Sequence, residues 1–126
     1  MNSKTMNEEE KQYIRNMANY IWKIIKSGGP VCWSWGISAP MATQHENMPA
    51  LRFNVNGFKF QGCIYVAYNG GNDLFEIFLR NRQGHEQHIK EVFIEDLIPL
   101  LNRHIETEND QSEDYKKKVE IFLNAK

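Results

Sequence analysis

Asn56-Gly57 separates two runs of alternating apolar and polar residues, a combination that most strongly signals a β-hairpin closed by a two-residue type I′ turn. Before it, Leu51, Phe53 and Val55 alternate with Arg52 and Asn54. After it, Phe58, Phe60, Ile64, Val66 and Tyr68 share one side of an expected strand over 58–68. Lys59, Gln61, Cys63 and Tyr65 take the other side. Gly62 interrupts this strand and marks a bulge or a close backbone approach. Two more turn signals follow, Asn69-Gly70-Gly71-Asn72-Asp73 and Arg82-Gln83-Gly84-His85. They delimit strands over 74–80 and about 87–93, so short turns joining sequential strands predict an antiparallel meander.

Helical periodicity brackets the meander. Between Glu8 and Lys26, Tyr13, Ile14, Met17, Ile21, Ile24 and Ile25 recur at three- and four-residue steps and fall on one helical face. Glu8, Glu9 and Glu10 open this helix, and Lys23 and Lys26 close it, as the helix dipole favours. Gly28-Gly29-Pro30 then stops it. Beyond the meander, Leu97, Ile98, Leu101 and Ile105 return to helical spacing, with Pro99 tolerable only near the first turn. A polar linker over 109–112 precedes a last short helix whose apolar face is Tyr115, Val119, Phe122 and Leu123, with Ser112 as its cap. The remaining segments read as a strand over Val31–Ile37, β-branched and aromatic between prolines, and a polar loop over Met41–Pro49.

These elements predict an α+β fold: an N-terminal helix, an antiparallel meander of four to five strands, and one or two C-terminal helices packed on one sheet face. One domain spans 1–126, with its core over about 8–107 and the linker and short helix over 108–126. Lysine and arginine number 15 and aspartate and glutamate 16, so no net field draws the chain to a polyanion, and nucleic acid is a disfavoured partner. Salt-dependent binding through Arg52, Lys59, Arg80, Arg82 and Lys90 would require them to gather on one face. Lys116-Lys117-Lys118 reads as a solvated helix face. The polar, acidic start lacks the features of a signal peptide, and no apolar run is long enough to span a membrane. The expected location is cytoplasmic.

Catalytic motifs are wanting. Cys32 and Cys63 lack C-x-x-C spacing and read as packed, reduced thiols, with a disulfide between neighbouring strands as the alternative. The paired glycines match no phosphate loop and serve turns. His85 and His88 flank Glu86, and His45 precedes Glu46, so these residues offer metal ligands. Their spacing is nevertheless not that of H-E-x-x-H, no third ligand is announced, and exposed turn residues are the plainer reading. No catalytic residue, metal or cofactor is therefore assigned. Trp33 and Trp35, two apart on the expected strand, share one sheet side. Against a helix they are core. In solvent they are a contact surface, and with His45 they form the candidate interaction surface.

The run from Met48 to Asn81, the helix-bearing stretch Glu91 to Glu106, the Trp33-Ser34-Trp35-Gly36 segment and the tail Ser112 to Lys118 resemble a recurrent family of small uncharacterised proteins of gut Bacteroidetes, often carried on mobile elements. The resemblance covers roughly Val31 to Lys118. It rests on the aromatic-glycine segment, on Met48-Pro49-Ala50-Leu51 followed by Val55 and Gly57, and on Asp73-Leu74-Phe75-Glu76. The sequence departs from the family at Gln61-Gly62-Cys63, where many members have Lys-Gly-Trp. The resemblance implies a mobile-element setting and supplies no site residues. The expected function is a non-enzymatic protein-interaction or accessory module, with another protein or a second copy as partner. The alternative is a small metal- or ligand-binding domain, or an enzyme, in which His45, His85 and His88 converge on a cleft.

Overall fold

The computed structural model of the chain describes residues 7–106. Helix α1 spans Glu8–Lys26. Asn7 begins it with a capping box: its side-chain oxygen accepts the Glu10 amide at 2.7 Å, and the Glu10 carboxylate accepts the Asn7 amide at 3.0 Å. Ile14, Ala18, Ile21 and Ile25, spaced by four, three and four, form its buried face. Gly28 then passes so close to the next segment that a Cβ there would lie 2.4 Å from Cys32 Sγ. Gly29, at φ +59°, turns the chain.

The expected strand over Val31–Ile37 is instead a single helical turn, α2, at Pro30–Trp33. Pro30 at its first position supplies a helix-compatible φ, and the Gly29 carbonyl accepts the amides of Cys32 and Trp33. The β-branched and aromatic composition was misleading because β propensity expresses fit to a half-buried pleat, and this segment has no strand beside it. As a consequence, Trp33 and Trp35 have opposite fates: Trp33 is 76% exposed and Trp35 is fully buried. The Trp35 indole donates to Asn102 Oδ1 at 3.0 Å, and its carbonyl accepts the Asn56 amide at 2.9 Å.

Five antiparallel strands follow in sheet order β1-β2-β3-β4-β5: Ser38–His45, Met48–Asn56, Gln61–Asn69, Leu74–Asn81 and Glu86–Val92. Most of the stretch 41–49 read as a loop is thus strand, with β1 occupying its first half. The tight two-residue turn lies at Glu46-Asn47, both at positive φ between the paired His45 and Met48, as in a type I′ turn. At Asn56-Gly57 no such turn forms. Asn56 pairs with Gln61 across a four-residue connection in which Gly57 has no positive φ. Phe58, expected on the apolar side of the strand, is exposed in this connection. The reason lies in helix α3, Leu97–Ile105, which follows a 3₁₀ turn at Ile94–Asp96. The carbonyl of Ile105 accepts the amides of Lys59 at 2.8 Å and Phe60 at 3.1 Å. A Cβ on Gly57 would lie 2.3 Å from Ile105 Cγ2. Gly62 is likewise a close-approach glycine, since its Cβ would meet the Arg80 carbonyl oxygen at 2.2 Å.

The core lies between one sheet face and the helices. Leu51, Phe53 and Val55 of β2, Ile64 and Val66 of β3, and Phe75, Ile77 and Leu79 of β4 meet α1, Trp35 and the four-spaced Leu97, Leu101 and Ile105 of α3. This is the α+β arrangement expected, an N-terminal helix and a C-terminal helix packed with a five-stranded antiparallel meander. The predicted helix after Ser112 lies outside the described residues. Among the described residues, no helix is long and apolar enough to cross a membrane.

Candidate functional site

The second sheet face is curled over itself. In a flat sheet, four strand spacings of about 4.8 Å would hold the edge strands about 19 Å apart. Here His45 Nε2, at the end of β1, lies 3.5 Å from Glu86 Oε2, at the start of β5. Sheet twist brings one pair of diagonal corners nearer, and the regular pairing is interrupted by an extra residue in β1 between Ser38 and Met41 and by another in β5 between Ile89 and Val92, where Glu91 has φ +58°. The small Ala50 and Ala67, both fully buried, leave room for the rings between the corners. His45 stacks on Tyr65, with centroids 4.0 Å apart and planes at 17°, and meets Phe78 edge-on at 4.3 Å. Phe78 in turn stacks on His88 at 4.0 Å.

Two polar clusters border these rings. In the first, Glu76 Oε1 lies 2.6 Å from His88 Nε2, and Glu76 Oε2 accepts the Asn69 side-chain amide at 2.8 Å. Burial pushes the Glu76 carboxyl upward, but hydrogen bonds from Asn69 and His88, with the charges of His88 and Lys90, outweigh it and hold the group below its ordinary value. Glu76 is a satisfied buried carboxylate. In the second cluster, Glu86 Oε2 lies 3.4 Å from an Arg80 guanidinium nitrogen as well as 3.5 Å from His45 Nε2. His45 Nε2 is buried and makes no hydrogen bond, an arrangement that costs about 1–3 kcal/mol when a polar atom has no partner. Glu46 completes this cluster: one ligand atom from each of His45, Glu46 and Glu86 lies within 4.8 Å of the others. Among the described residues, these are the side chains placed to share a metal ion.

The three histidines that the alternative reading would bring to one cleft come together only in part. His45 and His88 both contact Phe78, whereas His85 is exposed in the β4–β5 turn, where its backbone amide donates to Asn81 Oδ1 at 3.0 Å. Cys32 is buried, and burial pushes its thiol up against a lowering contribution from the Gly28 backbone, so it is a poor nucleophile. Both cysteines are free, and Cys63 Sγ accepts from Arg52 Nε at 3.0 Å. Arg80 and Arg82 line a polar cleft of about 430 Å³ with Asn54 and Asn56, but Arg80 is paired with Glu86. The lysines 116–118 lie outside the described residues.

On the helical side, Trp33 borders an apolar groove of about 390 Å³ whose walls include Trp22, Ile37 and Pro40. Lys26 stands at its edge, with Nζ 5.7 Å from the Trp22 ring centroid. Of the three residues first considered as an interaction surface, only Trp33 is strongly exposed; the Trp35 side chain is core, and the His45 side chain is only 15% exposed. Trp22 was hidden in the sequence by the helical period that makes it look like one more flank of α1. Glu76, an acid between the large apolar residues of β4, was the available signal for a built polar cluster. No protein-family model, curated protein or solved structure matches the chain.

Proposed function

We propose that the protein is a non-enzymatic interaction module, an accessory protein of a mobile element acting in the cytoplasm, that captures a protein partner in the groove beside Trp33. The observation that carries this reading is the 76% exposure of the Trp33 indole next to an apolar groove. A large aromatic in that position is the residue type that dominates binding energy once buried by a partner. Lys26 sets the chemistry of the occupant: an apolar side chain fills the groove, and a neighbouring carboxylate meets the ammonium. The mobile-element setting rests on the family resemblance noted above.

The test is capture from the native host with the tagged full chain and its Trp33→Ser variant, followed by binding measurements on the recovered partner. Truncating a central tryptophan anchor costs about 2–4 kcal/mol, roughly 30- to 1,000-fold in affinity. Equal capture by both proteins defeats the proposal. If the occupant is a second copy, light scattering reports a mass that rises with concentration in the wild type and not in Trp33→Ser.

A further inference from the structure

We propose that His45, Glu46 and Glu86 bind a divalent transition-metal ion of the zinc class, which ties together the two corners of the coiled sheet. This site is separate from the Trp33 groove. Three observations converge on it. The donor set, one imidazole and two carboxylates, suits zinc; calcium and magnesium favour oxygen ligands alone. The ligand atoms are already gathered within 4.8 Å, although they come from the end of β1, the turn that follows it and the start of β5, at opposite edges of the sheet. Finally, His45 Nε2 is buried without a hydrogen bond, so a donor atom faces the cluster with nothing to satisfy it.

The spacing is informative. Nε2 and Glu86 Oε2 are 3.5 Å apart and make no hydrogen bond. Two ligands of one tetrahedral ion, with bonds of about 2.0–2.1 Å, are separated by about 3.4 Å. The observed separation already matches the spacing that two ligands of a common ion require, so neither side chain need move to accept one. Stacking on Tyr65 fixes the imidazole plane, so this ligand is preorganised. Glu46 is exposed in the tight turn, and closing from the 4.8 Å outer limit to tetrahedral spacing takes a movement of at most about 1.4 Å. Three protein ligands leave the fourth position to water.

Arg80 supplies an internal control. Its guanidinium competes for Glu86 Oε2 at 3.4 Å, and its side chain is 47% exposed, so it can give way to the ion by turning into solvent. Removing that positive charge strengthens cation binding, an effect opposite to the weakening expected from loss of a ligand.

The test uses the tag-free, metal-stripped full chain, titrated calorimetrically with Zn²⁺ and spectroscopically with Co²⁺. The expected result is one ion per chain, with the visible absorption of a tetrahedral Co²⁺ complex. Glu46→Gln and Glu86→Gln each weaken binding about tenfold or more. His45→Phe, which keeps a ring against Tyr65, does the same, and Arg80→Gln strengthens binding severalfold. Because Glu46 is exposed in a turn, its variant keeps the test decisive even if His45→Phe does not fold. Absence of saturable binding in the wild type overturns the proposal. Binding unchanged in both Glu46→Gln and Glu86→Gln places the ion elsewhere and also overturns it. Equal saturation by Mg²⁺ overturns the zinc-class assignment.

Discussion

Gly57→Ala tests whether the end of α3, rather than turn geometry, demands glycine at this position. The added methyl would stand 2.3 Å from Ile105 Cγ2 and 2.6 Å from the Ile105 carbonyl oxygen, where ordinary contact begins at 3.4 Å. The end of α3 must therefore retreat by about an ångström. That movement strains the bonds from the Lys59 and Phe60 amides to Ile105, each contributing about 0.5–1.5 kcal/mol. Overpacking adds about 1–3 kcal/mol, so partial loss of the two bonds brings the expected destabilisation to about 2–4 kcal/mol. Urea unfolding followed by circular dichroism should show an unchanged slope and a midpoint lowered by about 1–3 M. Gly57→Asn discriminates between the explanations. Asparagine tolerates a left-handed backbone, so an Asn variant of near wild-type stability beside a damaged Ala variant would falsify the close-approach account. The contact with Ile105 predicts that both variants lose stability alike.

Two further outcomes follow from the buried groups. Glu76 has a folded-state pKa below its unfolded value, so the unfolded chain takes up protons first as pH falls; its contribution is present above the ordinary carboxylate range and fades as pH drops through the folded value. Acid titration of stability should therefore be flatter over that window in Glu76→Gln than in the wild type, and identical acid limbs would refute the role given to Asn69 and His88. Of the two thiols, Cys63 is half-buried and Cys32 is buried with a raised pKa, so mass spectrometry during alkylation should find Cys63 modified first and Cys32 only at the rate of unfolding. Early modification of Cys32 contradicts the packing of Gly28 against it.

The legible parts of the molecule are those whose signals are local and mutually consistent. The α1 limits, Glu8 to Lys26, followed from a capping acid run, a helical apolar period and a glycine stop within one segment. The alternation in Leu51, Phe53 and Val55, and in Ile64, Val66 and Tyr68, correctly identified the sheet side that meets the helices. Gly62 was readable as a close approach, though which strand approached it was not. Where composition stood alone it misled: Pro30–Trp33 has strand-like residues and forms a helical turn, and the polar run Met41–His45 belongs to an edge strand. An edge strand needs no continuous apolar face, so β1 carried little of the pattern that marks its neighbours.

For the candidate sites the division is sharper. The sequence alone placed His45 beside Glu46 and Glu86 between His85 and His88, and set two tryptophans two residues apart. Only tertiary structure drew His45 to Glu86 across five strands, left Nε2 without a hydrogen bond, and sent Trp33 outward while burying Trp35. Periodicity reports which side of an element a residue occupies, because it follows from backbone geometry over a few residues. Sheet coil, the docking of α3 on Gly57 and the absence of a strand partner for Pro30–Trp33 depend on contacts between distant segments, and these are what decided which side chains meet.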